Sequence, residues 1–300
     1  MDSIEKFSAV TQLYVGLFGV APDVEGLNYW ALELDKGASI GKVASAMLGT
    51  ASGHVFYPNA NDYAGIISAF YQNALGRQAD ESGLDYWSKK AIGGEPIGDV
   101  LAEMLHVASH YDGNDPEGLQ SQLTFAKKVE AADIFASQFG KHGGINQSTL
   151  TSQISHDMLG QVTAATDVNE FAATVFPSVW RLMEAPVQVL DNVGQILPNG
   201  SLAGLLSEMP KGSTLSDAAN FALIMASNSD YAEIGDLIFK NGGSFASVMD
   251  GVRNEITPEQ LLYAAKGGAQ AISDILNEIA NNATQTQLVG IQHLSGIAMV

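Results

Sequence analysis

Two of the six histidines have a spacing that suits a metal ion. His106 and His110 are four residues apart, so on a helix both imidazoles lie on one face. No glutamate stands next to His106 as in the His-Glu-x-x-His arrangement of zinc hydrolases, so zinc-dependent hydrolysis is not expected. We interpret the pair as solvent-facing or partly buried side chains near the end of a helix.

Ser155, His156 and Asp157 are of the types that form a hydrolase triad, but they are consecutive in the chain. Neighbouring residues on a helix point in different directions, so these three are not expected to act together. No nucleophile elbow, Walker loop or dinucleotide-binding glycine fingerprint appears at a predicted strand-to-helix turn. The chain is therefore not predicted to be an enzyme, and no catalytic residue is assigned.

A polar turn cluster at residues 111–117 carries the oxygen ligands that calcium prefers. Asp112, Asn114 and Asp115 surround a glycine and resemble half of a calcium-binding loop. The full twelve-residue pattern is missing, which favours a turn or a helix cap. A calcium site at these three residues is the alternative.

Two tyrosine-tryptophan pairs offer aromatic rings to a ligand. If exposed, Tyr29-Trp30 and Tyr86-Trp87 would stack on sugar rings. A leucine lies three residues before each tryptophan, on the same helical face, and this spacing favours packing in a core. Ligand binding and core packing are thus the two interpretations of these four residues.

The pairs belong to a pattern that returns after 57 residues without a gap. Tyr14 falls on Tyr71, and Trp30 on Trp87. The residues around them keep the same interval: Gly19 and Gly76, Asp23 and Asp80, Gly26 and Gly83, Gly37 and Gly94, Ile40 and Ile97, Val43 and Val100, Met47-Leu48 and Met104-Leu105. Self-similarity at a fixed period indicates a tandem repeat.

Each copy is predicted to form three short helices around an aromatic cluster. Gly19 is placed to end the first helix in a left-handed cap, and Asp23 to cap the start of the second. Gly37 closes the second helix, and the third begins near Ser39. The corresponding residues of the second copy are Gly76, Asp80, Gly94 and Pro96.

These residues resemble the DUF4214 family, a helical repeat with the signature Tyr-x-x-Leu-Gly-Arg-x-Pro-Asp-x-x-Gly-Leu-x-Tyr-Trp. The second copy carries Leu75-Gly76-Arg77 and Gly83-Leu84-Asp85-Tyr86-Trp87; the first keeps Pro22-Asp23 but has Val20 in place of the arginine. The resemblance covers residues 8–113. It implies a large bacterial extracellular protein of the surface-layer or adhesin-like kind, exported by type I secretion, and it brings no catalytic residues.

Composition narrows the choice of partners. The chain has 33 acidic and 14 basic residues and a net charge of -19, which repels nucleic acid and anionic lipid and attracts cations such as calcium. Solubility alone is the other explanation of this acidity. The chain has no cysteine, which excludes disulfides, thiol catalysis and cysteine-ligated zinc, and is common in proteins exported through type I channels.

The predicted organisation has four parts, all helical, since alternating strand patterns are few. They are repeat 1 at 8–57, repeat 2 at 62–113, a degenerate third repeat at 118–175, and a C-terminal helical domain at 187–300. Helices are expected at 187–197, from Ser213 or Thr214, and from Thr257 with Pro258 at its first position.

The two ends of the chain bear on export. The N-terminus lacks the charged region and apolar run of a signal peptide, so either the protein stays inside the cell or its export signal lies at the other end. The uncharged tail 281–300 is compatible with such a signal, or with a last helix or strand that docks on the core. Apolar runs are too short for a transmembrane span.

The sequence predicts an all-α protein of tandem three-helix repeats followed by a second helical domain. Its expected function is non-catalytic: a surface-layer or matrix module of a Gram-negative bacterium that anchors to polysaccharide of the lipopolysaccharide type with calcium, as a homo-oligomer or lattice. The alternative is a structural component of a phage-like or intracellular assembly. An enzyme with its site in 187–300 is a third hypothesis, for which no residue set stands out.

Overall fold

The computed structural model describes residues 2–142, 145, 149–209 and 211–227. Within these ranges the chain forms thirteen α-helices and no β-strand, so the prediction of an all-α protein is confirmed. None of these described helices combines the length and the apolar character needed to cross a membrane. Contacts divide the chain into two compact units, Met1–Gly143 with Met158–Ala173, and Gly144–Asp157 with Thr174–Val300.

The first unit is built largely from short helices packed around α1. They are α1 (Ser3–Phe18), α2 (Val24–Asp35), α3 (Ile40–Leu48), α4 (Ala51–Phe56), α5 (Tyr63–Phe70), α6 (Glu81–Ile92), α7 (Ile97–Ser109) and the longer α8 (Pro116–Gln138). Helix α5 continues directly into a π-helical turn, Tyr71–Leu75, and a 3-10 turn, Phe139–Lys141, follows α8. Fully or almost fully buried apolar side chains from four of these helices form the core: Leu13, Leu17, Phe70, Leu101 and Phe135.

Local capping signals set the ends of these helices. Gly19 and Gly76 terminate their helices in the left-handed conformation, with φ of 65° and 67°, as predicted. Asp23 and Asp80 each accept a hydrogen bond of 2.7 Å from the amide three residues later, which caps α2 and α6 as predicted. Helices α2 and α6 begin 57 residues apart, and so do α3 and α7. The interval seen in the sequence is therefore also the interval between helix starts.

Helices α3 and α7 approach each other closely because each carries a glycine at the contact. A Cβ atom at Gly98 would collide with the Gly41 carbonyl and with Ser45, and one at Gly41 would collide with Asp99. Without these side chains the two backbones come into direct contact. Buried apolar residues of both helices surround this crossing: Val43, Met47, Val100 and Met104.

Helix α8 packs against α1, α7 and the π-helical turn. Asp115 caps it and Pro116 occupies its first turn, where a missing N–H costs nothing. Its inner face buries Phe125, Ala132 and Phe135. The region 118–175, where a degenerate third repeat is expected, thus begins with a single helix of 23 residues.

Beyond residue 148 the described chain is again helical. The helices are α9 (Thr149–Gly160), α10 (Val168–Met183), α11 (Val187–Ile196), α12 (Leu202–Glu208) and α13 (Leu215–Ser227), with a 3-10 turn at Pro198–Gly200. Helix α11 matches the helix predicted at 187–197. Thr214, one of the two residues expected to begin this helix, caps α13, and its hydroxyl accepts from the Asp217 amide at 3.2 Å. The helix expected from Thr257 and the tail 281–300 lie outside the described residues.

Candidate functional site

Matching tyrosine-tryptophan pairs lie on α2 and α6. Trp30 and Trp87 are 8% and 9% exposed, whereas Tyr29 and Tyr86 are 55% and 54% exposed. Each tyrosine ring meets its tryptophan edge to face, with centroids 4.7 Å apart in the first pair and 4.9 Å in the second. Core packing therefore applies to the two tryptophans. The two tyrosines face solvent, where a ligand could reach them.

Each tryptophan also forms a hydrogen bond with a second tyrosine. The indole of Trp30 donates a hydrogen bond to the Tyr14 hydroxyl, and that of Trp87 donates to Tyr71. Burial raises the pKa of Tyr14 to about 12, and the Asp23 carboxylate adds to this effect. Burial also raises the pKa of Tyr71, against the lowering effect of the Trp87 hydrogen bond. Both phenols therefore stay neutral at physiological pH and remain available to hold the two tryptophans. The exposed tyrosines in turn pack on these tryptophans.

An aromatic pocket of about 140 Å³ opens beside the second pair, where the π-helical turn, α6, α7 and α8 meet. Four aromatic side chains, Phe70, Tyr71, Trp87 and Tyr111, line it together with Arg77 and Gln122. The remaining lining residues are mostly apolar: Leu75, Met104, Val107, Ala108, Gly118 and Ser121. Among all of these only Trp87 is a site residue predicted from the sequence. An apolar lining with a few polar groups is typical of small-molecule sites, and this pocket is smaller than the ~300–1,000 Å³ usual for them.

The π-helical turn forms part of the pocket wall through Tyr71 and Leu75. A π-helical turn leaves main-chain carbonyls without their usual α-helical partners, and such turns are frequent at functional sites. Here the buried ammonium group of Lys128 lies 2.6 Å from the carbonyl oxygen of Asn73 and 3.3 Å from that of Gln72. Burial lowers the pKa of Lys128 to about 8, yet at neutral pH it remains mostly charged. Helix α8 therefore supplies, through Lys128, the hydrogen-bond donor for two carbonyl groups of the π-helical turn.

Arg77 stands at the edge of the pocket, and its charge is already balanced. Its guanidinium carbon lies 5.1 Å from the centroid of the Tyr71 ring, and its Nε donates to the Ser121 hydroxyl at 3.1 Å. The Asp80 and Glu117 carboxylates lie 3.5 Å and 3.4 Å from guanidinium nitrogens. The edge is polar but carries no excess positive charge, which suits an uncharged, hydroxyl-rich ligand.

The first copy differs at the same place. Val20 occupies the position that Arg77 holds in the second copy. Phe18 packs against Phe56 and Tyr57, with ring centroids 5.1 Å and 6.1 Å apart. Phe18 is the counterpart of Leu75, which lines the pocket of the second copy. The first copy therefore has a cluster of packed aromatic rings at this position. The exposed tyrosine is common to both copies, whereas the arginine is not.

The three candidate calcium ligands have different environments. Asp115 Oδ2 accepts a 2.7 Å hydrogen bond from the Gly118 amide, so this residue serves as the cap of α8. Asp112 and Asn114 lie in the non-helical segment before it, and both are exposed. The part of the chain that the structure describes has no group of three or more histidine, aspartate or glutamate side chains arranged to hold a metal ion.

Asp157, which follows His156 in the chain, has a structural role. Asp157 is buried, and its Oδ2 accepts hydrogen bonds from the Ser201 hydroxyl at 3.0 Å and the Leu202 amide at 2.6 Å. Burial would raise the pKa of this carboxyl, but the His156 ring, with Nδ1 3.7 Å from Oδ1, and the hydrogen bonds from its donors together lower it. Asp157 therefore works as a structural cap for α12.

Comparison of this chain with protein-family models, with curated proteins and with solved structures finds no match in any of the three.

Proposed function

We propose that this chain is a non-catalytic module of a Gram-negative bacterial surface, part of a surface layer or matrix, that anchors to polysaccharide of the lipopolysaccharide type. The proposal includes membership of the DUF4214 repeat family and export by type I secretion, which the resemblance of residues 8–113 implies. The observation that carries it is the matched presentation of Tyr29 and Tyr86, 55% and 54% exposed and 57 residues apart.

An exposed aromatic ring on a rigid base suits a sugar. The C–H face of a pyranose packs on an aromatic ring, while its hydroxyls stay hydrated or bond to nearby polar groups. Tyr29 and Tyr86 have this character because each is fixed edge to face on a buried tryptophan. Two such platforms on one chain would bind neighbouring units of a polymer more tightly than one platform.

The aromatic pocket supplies a second contact next to Tyr86. Trp87 belongs both to the exposed pair and to the pocket wall, so a chain stacked on Tyr86 passes close to the pocket. In this proposal one sugar unit enters the pocket against Tyr111, and Gln122 bonds its hydroxyls. The neutralised Arg77 edge favours an uncharged unit over an acidic one.

Calcium has a physical role in this proposal. The chain carries a net charge of -19, and lipopolysaccharide carries phosphate and carboxylate groups, so the two repel each other at long range. A divalent cation with oxygen ligands offsets this repulsion by bridging carboxylates of the two partners. Anchoring should therefore need calcium even if the sugar contacts themselves do not.

The first test is binding of the full chain to purified lipopolysaccharide by isothermal titration calorimetry, with calcium and with a chelator. We expect binding in calcium, and we expect Tyr29→Ala and Tyr86→Ala each to weaken it about three- to tenfold. The matched control is Val55→Ala on α4, a residue of the same 54% exposure outside the aromatic pairs. Failure of the chain to bind in calcium, or equal losses in all three variants, would overturn the proposal.

A second test concerns location. Cells of the source organism are fractionated, and the protein is detected in cytosol, medium and surface wash with and without a calcium chelator. Surface retention with release by the chelator supports calcium-assisted anchoring. Strict retention in the cytosol contradicts it.

A structural assembly component is the second candidate, favoured by apolar side chains at the edge between α7 and α8. Val107, Leu119 and Leu123 are 46%, 46% and 47% exposed, so these two packed helices present three apolar side chains to solvent. This candidate predicts self-association in sedimentation velocity experiments that Leu119→Lys or Leu123→Lys abolishes, without any effect of glycans. A concentration-independent monomer rules it out.

A further inference from the structure

Two histidine rings stack at the C-terminal end of α7. His106 and His110 are both exposed, their ring centroids are 4.5 Å apart, and their planes differ by 28°. The four-residue spacing places both rings on one side of the helix, as the sequence predicts. Two imidazole rings are therefore in contact on an exposed part of the chain.

One hydrogen bond determines which nitrogen of His110 is available. The His106 carbonyl oxygen lies 3.0 Å from the His110 amide nitrogen and 3.1 Å from its Nδ1. A carbonyl only accepts, so Nδ1 must carry the hydrogen, and the lone pair of the neutral ring is on Nε2. Metal-binding histidines have this arrangement, in which the other ring nitrogen donates to a main-chain oxygen and orients the ring.

We propose that His106 and His110 chelate a late first-row divalent metal ion, with Nε2 of His110 and one ring nitrogen of His106 as its ligands. Imidazole suits Cu²⁺, Ni²⁺ and Zn²⁺, and the order of stability among divalent ions makes Cu²⁺ the tightest. The net charge of -19 raises the local concentration of any cation.

The chain supplies two ligands to this ion. Glu103 is on the same side of α7, three residues before His106, but its carboxylate is hydrogen-bonded and ion-paired to Lys90. No cluster of three candidate ligand side chains is found among the described residues. Water or a second molecule therefore completes the coordination, so the bound ion keeps positions that can exchange.

The test is titration of the full chain with Cu²⁺, followed by calorimetry and by electron paramagnetic resonance. We expect one site per chain with two nitrogen ligands. His106→Gln and His110→Gln should each weaken binding roughly tenfold or more, because the second ligand no longer acts at a high effective concentration. His54→Gln, which removes an exposed histidine of α4, is the matched control and should leave the affinity unchanged.

Nitrogen-15 spectra of the histidine rings give a readout that loss of fold would not imitate. The metal-free chain should show His110 with its hydrogen on Nδ1, and added Zn²⁺ should shift Nε2. Copper binding that survives both His106→Gln and His110→Gln belongs to carboxylates and overturns the proposal. So does a His110 tautomer with the hydrogen on Nε2.

Discussion

The ammonium nitrogen of Lys128 lies 2.6 Å from the main-chain oxygen of Asn73, a residue 55 positions earlier in the chain. This bond joins α8 to the π-helical turn through an ammonium group that donates to the carbonyl oxygens of Gln72 and Asn73. Carbonyl dipoles stabilise an ammonium less than water does, which is why burial lowers the pKa of Lys128 to about 8.

The stability contribution of Lys128 should rise with pH between about 8 and 10.5. Below this window the amine is charged in both the folded and the unfolded chain. Within it the folded chain has lost the proton that the unfolded chain keeps, so unfolding becomes less favourable as pH rises. The free energy of unfolding of wild type minus that of Lys128→Met should increase by about 2 to 3 kcal/mol across the window, measured by urea titration.

The control for this experiment is Lys127→Met. Its ammonium pairs with Glu130 at the surface, 3.3 Å away, so this variant removes the same charge without removing a buried amine. A difference for Lys128→Met that rises no more with pH than the difference for Lys127→Met would contradict a lowered pKa for the buried amine.

Asp157→Asn should destabilise the protein by about 1 to 3 kcal/mol, because an amide cannot accept from all the donors around the carboxylate. Ser201 and the amides of Leu202 and Ala203 bond to one oxygen, and Gln153 donates to the other. Thermal unfolding measures the loss. Asp167→Asn, at an exposed cap of α10, should change little, because asparagine caps helices as well as aspartate does.

The effect of Asp157 also depends on pH. Its pKa is lower in the folded protein, so its contribution is present above the unfolded pKa of about 4 and is lost as pH falls through the folded pKa. The stability difference between wild type and Asp157→Asn should therefore shrink in acid. A difference that grows in acid would mean that the folded pKa is raised instead.

Gly98→Ala should destabilise the first unit by about 1 to 3 kcal/mol or more, because the new methyl group would press on the Gly41 carbonyl and on Ser45. Gly194→Ala within α11 is the matched control. A Cβ there meets only a methyl group of Leu150 at 3.8 Å, so alanine should stabilise that helix by up to about 1 kcal/mol. Equal behaviour of the two variants in denaturant titrations would show that α3 and α7 are not in backbone contact.

Asp115→Ala should cost about 1 kcal/mol even without calcium, because it removes the cap of α8. Asp112→Ala removes an exposed side chain, so its effect should stay within about 0.5 kcal/mol. If calcium binds this segment, both variants lose any rise in melting temperature that calcium gives the wild type. Calorimetric scans with and without calcium separate the two roles.

Much of the fold is predictable because helix ends depend on local signals. Gly19 and Asp23 act within a few residues of themselves, and the structure places both caps as the sequence indicates. The difference between Tyr29 and Trp30 also has a local signal. Trp30 shares a helical face with Leu27, so its neighbour Tyr29 points elsewhere and is exposed.

No local sequence signal predicts the aromatic pocket. It depends on α8, which lies outside the repeated pattern, and on a π-helical turn that the first copy does not form at Tyr14–Phe18. Tyr111 corresponds to His54 in the first copy, so comparison of the copies does not single it out either. Contacts between distant segments decide these features, and the periodicity of a single helix does not contain them.

The carbonyl oxygen of Leu17 receives hydrogen bonds from the Tyr57 hydroxyl and, at 3.0 Å, from the side chain of Asn73. In the first copy the position of Asn73 is held by Gly16, where a side chain would collide with Phe70. The two segments of the predicted repeat thus differ at matching positions, and the first receives a hydrogen bond from the second. Unlike a unit of an open solenoid, the segment that contains Asn73 cannot be removed without taking away a donor to the Leu17 carbonyl.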